Sequence, residues 1–189
     1  MNKLEKVKLG WVYLPLGCWL WAPLILFMLF LVTMAIGLNR SPEKTIRSQL
    51  VGKPMPEFAL QPAVPNHPPL RSADLTAGGP RLVNVFASWC VPCKAEAPQL
   101  MALKRAGVPI DAIAIRDRPE DVAAFLAEWG DPFQRIGADP QSRVQLALGS
   151  SGVPETFVVD ARGIIRHQHI GDIRPENVAE ILQAWRGAK

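Results

Sequence analysis

At 189 residues, 49% apolar and 20% charged, the chain has room for one ordinary domain and an appended segment, and not for two full cores. Its formal net charge of +4 comes from 21 basic residues spread along the chain without a basic, aromatic-interleaved cluster, which argues against a nucleic-acid partner. Neither an internal repeat nor a Gly-rich phosphate loop is present, so repeat arrays and nucleotide hydrolysis have nothing to rest on.

Residues 1–10 form a short tail carrying Lys3, Lys6 and Lys8. From 11 to 38 there is no charged residue. A bilayer core needs roughly 20 mostly apolar residues in helix, so 11–38 is predicted to be a transmembrane anchor. Pro15, Gly17 and Pro23 interrupt its first third, which places the firm helix over residues 19–38, with Trp11, Tyr13, Trp19 and Trp21 suited to the interface. The run far exceeds the roughly 7 to 15 apolar residues of a signal peptide, so the anchor is read as retained. Cys18 inside it reads as a small apolar residue. Lys3, Lys6 and Lys8 on one side balance Arg40, Lys44 and Arg47 on the other, and the charge rule leaves the orientation undecided.

Residues 39–52 read as a polar tether and 53–189 as the single soluble domain. The stretch 53–69 is so rich in proline that helix is ruled out and strand is confined to short pieces such as 57–60. His67 there reads as an exposed loop residue, and 72–76 as a helical turn closed by Gly78-Gly79-Pro80. Residues 82–87 are apolar on both alternating faces, the pattern of a strand in the middle of a sheet. Helix formers follow from Lys94, with no glycine before Gly107. A second buried strand at 108–115 should run parallel to the first, because a helix separates the two. Pro119 opens a further helix that Gly130 stops. Then come a strand at 133–138, a helix at 140–148, a strand at 156–159, a turn at Asp160-Ala161-Arg162-Gly163, a strand at 164–170 and a last helix at 175–185. Strands alternating with helices and ending in a hairpin predict an α/β fold, a mixed sheet with helices on both faces.

The chemistry is concentrated in Trp89-Cys90-Val91-Pro92-Cys93-Lys94. Two thiols two residues apart, entering a helix behind an apolar strand, form a dithiol that exchanges electrons with another disulfide. Cys90 would sit at the helix start, where unpaired N–H groups and the positive dipole end favour a thiolate, and is assigned as the nucleophile. Cys93 lies one turn in and is assigned as the more buried, resolving sulfur. Half a zinc site is the rival reading, but it needs a second CxxC or an HxxxH pair, and the other candidates are only Cys18, His67, His167 and His169. A structural disulfide over so short a loop would stabilise little. No metal is therefore expected, and no cofactor beyond the redox-active Cys90–Cys93 disulfide.

The segment 82–100, with the CxxC and Pro98, resembles the active-site segment of thioredoxin-fold oxidoreductases. Downstream, Ser151-Gly152-Val153-Pro154-Glu155-Thr156-Phe157-Val158-Val159-Asp160 resembles a narrower group, the membrane-anchored thiol-disulfide interchange proteins of cytochrome c maturation, the CcmG or DsbE family. The similarity runs from about Val51 to the C-terminus and includes the upstream anchor. It implies a thioredoxin-like mixed sheet. It implies that Pro154 is a cis-proline facing the dithiol, with Val153 offering its backbone to an extended substrate; Trp89 beside the motif reads either as an aromatic that shapes the docking surface or as a plain aromatic in the core rim. It also implies that Glu96 and Glu155 form an acidic active site able to take the Cys93 proton. General thioredoxins carry a buried acid six residues before the first cysteine, where this chain has Asn84. The implied function is reduction of the haem-attachment cysteines of apocytochrome c, or of a haem-ligation partner. Electrons would come from a membrane thiol reductase, and the catalytic domain would lie on the periplasmic side of a bacterial inner membrane. A general periplasmic thiol reductase is the alternative within the fold, and a copper-delivery module the alternative outside enzymes, although the CxxC offers copper no evident third donor.

Overall fold

The computed structural model describes residues 16–39, 48–76 and 78–189. The chain divides into two units, Met1–Lys44 and Thr45–Lys189. In the first, helix α1 spans Leu16–Asn39, with Pro23 inside it. Its side chains are described over 21–37, where all are exposed, and among the described residues no helix is long and apolar enough to cross a membrane. The predicted span begins at residue 11, so its first residues lie outside the described part, as do residues 40–47 of the predicted tether.

The second unit is built on β3, Arg81–Phe86, whose six residues are all buried. A strand with no side turned to water must have neighbours on both edges and cover on both faces. The sheet order is β5-β4-β3-β6-β7, with β4 at Ile110–Ile115, β5 at Ile136–Asp139, β6 at Glu155–Val159 and β7 at Ile165–Ile170. β4 runs parallel to β3, as the helix between them requires, with Asn84 opposite Ala112. β6 runs antiparallel to β3 with Asn84 opposite Thr156, and β7 antiparallel to β6 with Thr156 opposite His169.

Alternation along β3 assigns the two faces. Asn84 meets Glu96 of helix α2, Val91–Arg105, and the Phe86 ring lies 5.4 Å from that of Phe125 in helix α3, Pro119–Trp129. The face of Asn84 and Phe86 therefore carries α2 and α3, and helix α5, Val178–Gly187, packs against α2 on the same side. The opposite row is Val85, Ile113 and Gly137. Over Gly137 lie Leu60 and Leu70, from the two-residue strands β1, Ala59–Leu60, and β2, Leu70–Arg71. Over Gly137 this face is covered by an N-terminal ribbon rather than by a helix. The prolines of 54–69 leave that segment no helical option, yet Leu60 and the following Leu70 still find an apolar face to bury.

Other departures are local. The helix expected at 140–148 contracts to α4, Arg143–Ala147, because the Asp139 carboxylate accepts the N–H groups of Arg143 (2.9 Å) and Gln145 (3.0 Å) and fixes where it starts. The last helix begins with a 3-10 turn over Pro175–Asn177. His67 is not an exposed loop residue. Its side chain is 9% exposed and its Nε2 lies 2.8 Å from Asp131 Oδ2, so the proline-rich ribbon is pinned to the segment after α3.

Candidate active site

Cys90 is the residue before α2, with extended backbone, and its Sγ accepts the Cys93 N–H at 3.2 Å. The sulfur thus occupies the N-cap position, where the first-turn N–H groups and the helix dipole favour negative charge. Pro92 takes up a first-turn position where an N–H would have no helical partner. Cys90 and Cys93 are joined as a disulfide with Cα atoms 5.3 Å apart. Both are buried, at 4% and 1% exposed, with Cys93 the deeper of the two, as expected.

The turn leading into Cys90 is held by the loop after β4, a role not foreseen from the sequence. Asp117 accepts both the Ser88 N–H (2.6 Å) and the Ser88 hydroxyl (2.7 Å). Trp89 is 55% exposed, and its indole N–H donates to the Arg116 carbonyl at 3.3 Å. Arg116 adopts φ +47°, a left-handed conformation unusual for a non-glycine residue. Trp89 is thereby a surface aromatic with a fixed polar edge, not part of the core rim.

Val153-Pro154 is a cis peptide bond. Glu155 pairs with Val85 across β6 and β3, which brings Pro154 to the end of the sheet from which the chain runs on into Cys90. Val153 is half-buried and Pro154 buried. Lys94 is half-buried, and Pro98 lies within α2.

Both glutamates are buried, Glu96 at 0% and Glu155 at 1% exposed, so neither is a surface acid. They do not form one cluster. Strand alternation places Glu155 on the face of Val85, whereas Glu96 meets Asn84 on the other. Glu155 accepts the Ser151 N–H (2.9 Å) and hydroxyl (2.8 Å) on Oε1 and the Gln168 amide (3.0 Å) on Oε2. Gln168 in turn accepts the Ser48 N–H at 2.6 Å, tying a residue of the predicted tether to this acid. Glu96 accepts from Asn84 Nδ2 (2.9 Å) on Oε1 and from the Ile173 N–H (3.0 Å) on Oε2. Burial pushes its pKa up to about 7, the bonds from Ile173 and Asn84 pull against that, and the Asp172 carboxylate adds to the rise. Asn84 also donates to Thr156 Oγ1 at 3.0 Å, while its own Oδ1 is buried without a partner among the described residues. Among the described residues no group of three or more His, Cys, Asp and Glu side chains is placed to hold a metal.

A dithiol at a helix N-terminus, beside a cis-proline loop and above a buried carboxyl that titrates near neutrality, is equipped for thiol-disulfide exchange. Comparison with known proteins agrees. The Redoxin family model matches residues 50–184. The thiol:disulfide interchange protein DsbE of Pseudomonas fluorescens biotype C is 41% identical over 151 residues, covering 80% of this chain and 83% of that protein. DsbE of Escherichia coli (strain K12) is 36% identical over 158 residues, covering 81% and 85%. HelX, a thiol:disulfide interchange protein of Rhodobacter capsulatus, is 36% identical over 158 residues, covering 84% and 89%. In fold, the crystal structure of a thioredoxin-family thiol:disulfide interchange protein from Chlorobium tepidum TLS superposes with a TM-score of 0.58 at 22% identity, covering 75% of this chain and 98% of that one. The chain is a thiol-disulfide oxidoreductase and belongs to the DsbE family of thiol:disulfide interchange proteins.

Proposed function

We propose that this oxidoreductase keeps the haem-attachment cysteines of apocytochrome c, or the thiols of a haem-ligation partner, reduced during cytochrome c biogenesis. The observation that carries the mechanism is the N-capped Cys90 sulfur with the buried Glu96 one helical turn beyond Cys93. In the reduced enzyme the Cys90 thiolate attacks the substrate disulfide. One substrate sulfur leaves as a thiolate, and Cys90 is left in a mixed disulfide. The Cys93 thiol then gives its proton to the Glu96 carboxylate and attacks Cys90 Sγ. The Cys90–Cys93 bond forms and the second substrate sulfur departs as a thiolate, so two electrons have passed to the substrate. Glu155, fixed by Ser151 and Gln168 beside Pro154, lines the substrate end of the site. Trp89, Val153 and Pro154 form the surface on which an extended chain docks, with Val153 presenting its backbone.

Return of the disulfide to the dithiol draws electrons from a membrane thiol reductase, since an oxidising compartment would hold the pair oxidised. The organisation is a tail at 1–10, an anchor at 11–38, a tether at 39–52 and the catalytic domain at 53–189, on the periplasmic face of a bacterial inner membrane. Support for the anchor is the uncharged, mostly apolar run over 11–38. The test is a deletion in the bacterium that carries the protein. Haem-stained gels should lose covalently bound cytochrome c haem, and a membrane-permeant dithiol in the medium should restore it. Undiminished haem attachment in the deletion strain would remove the cytochrome assignment and leave a general thiol reductase.

A further inference from the structure

Glu96 is sealed from solvent, yet the peptide group that holds one of its oxygens leads to a residue that is not. The Ile173 N–H donates to Glu96 Oε2 at 3.0 Å, and the carbonyl of that same peptide unit, Asp172 O, lies 3.2 Å from His169 Nε2. A carbonyl only accepts, so Nε2 carries the hydrogen and the imidazole is the donor. The series is His169 Nε2–H to Asp172 C=O, then Ile173 N–H to the Glu96 carboxylate.

We infer that His169 is a positioning residue for Glu96, acting through the single peptide group Asp172–Ile173 that hydrogen-bonds to both. The inference rests on the reading of Glu96 as acceptor of the Cys93 proton and adds what sets that acceptor. Donation into the carbonyl draws charge from the peptide nitrogen and strengthens its N–H toward the carboxylate, the cooperative effect seen in chained hydrogen bonds. It also holds the loop after β7 in a position from which the Ile173 N–H reaches α2. The strand register agrees, since Asn84, Thr156 and His169 lie opposite one another across β3, β6 and β7 and share the face on which α2 sits. His169 is the half-exposed end of that polar row and Glu96 its buried neighbour.

Other titratable or charged groups around the pair are few. From the loop after β7 comes Asp172, whose carboxylate Arg174 Nε approaches at 3.2 Å. From α2 itself comes Cys93, one turn before Glu96. Two residues back on the same face of β7, His167 lies 3.6 Å from Glu180 of α5. Asn84, from β3, is uncharged and donates to the other Glu96 oxygen. None of these bridges His169 and Glu96 as the shared peptide does.

The experiment uses the full chain in detergent micelles with carboxyl-13C-labelled glutamate, the Glu96 signal being assigned by its loss in Glu96→Gln. His169→Leu removes the donor, and His169→Gln keeps an N–H at a similar reach without the ring. The Glu96 midpoint should rise by about half a pH unit in His169→Leu and return close to the unmodified value in His169→Gln. An unchanged midpoint in His169→Leu overturns the inference. An equal rise in both variants overturns it too, because it would trace to the ring and not to the donated bond. The pH profile of disulfide exchange in Glu96→Gln is read separately. A profile unaffected by Glu96→Gln removes Glu96 as proton acceptor even where its midpoint follows His169.

Discussion

Glu96 is a carboxyl held in a place that favours its neutral form, and this has a thermodynamic consequence apart from catalysis. Its pKa is raised from 4.5 to about 7 on folding, mainly by burial. Between those values the folded chain keeps a proton that the unfolded chain has released. The stability contribution is therefore complete below about pH 4.5, is lost as pH rises toward 7, and stays lost above it. Glu96→Gln abolishes that dependence while keeping an acceptor for the Ile173 N–H. Relative to the unmodified chain, the variant should gain about 3 kcal/mol on passing from pH 4.5 to 8, as an order of magnitude. Urea unfolding of both proteins at the two pH values measures the difference directly. A difference that does not change with pH would show that Glu96 titrates alike in both states. Cys90 and Cys93 were legible because the two-residue spacing of the CxxC joins them at short range, whereas the cis bond at Val153-Pro154 was legible only through the resemblance of the segment around it. Asp117, Gln168, Ser151 and His169 were not. Each meets the site only through strand register or loop reach, and an Asp after a strand or a Gln within one looks the same whether or not a partner lies opposite.

At the scale of elements, hydrophobic alternation and punctuation by glycine and proline recovered β3, β4, α2, α3 and the closing β6–β7 hairpin, and the short helical turn over Ser72–Thr76. What covers the second face of the sheet was less legible, because β1 and β2 are two residues each and no periodicity shows in so short a run. Their docking depends on Gly137, which is in the sheet and has no side chain to keep the ribbon away. A Cβ there would stand 2.8 Å from Leu60 Cβ and 3.1 Å from Leu70 Cβ, atoms too close to their own backbones to swing aside. Gly137→Ala should cost about 1–3 kcal/mol, the usual range for overpacking. A lowered urea midpoint with an unchanged slope measures this. An unaltered midpoint would mean that the ribbon is not clamped on β5.

For the molecule as a whole, the two units have different bases. Thr45–Lys189 is a sheet-centred domain with its own core, whereas the anchor expected within Met1–Lys44 rests on the absence of charge over 11–38 rather than on any packing. The whole-chain reading nevertheless turns on two sulfurs with unequal tasks, and the measurement that tests this most directly is trapping. Membranes from cells making Cys93→Ser and Cys90→Ser are resolved on non-reducing gels after thiol alkylation. In Cys93→Ser, attack by Cys90 proceeds but nothing resolves the product, so mixed disulfides with substrate accumulate and vanish on reduction. In Cys90→Ser the remaining sulfur of the pair, Cys93, is 1% exposed in the first turn of α2, and few or no adducts form through it. Adducts in Cys93→Ser alone are the predicted result, and equal trapping by the two variants would contradict the assignment of attack to Cys90.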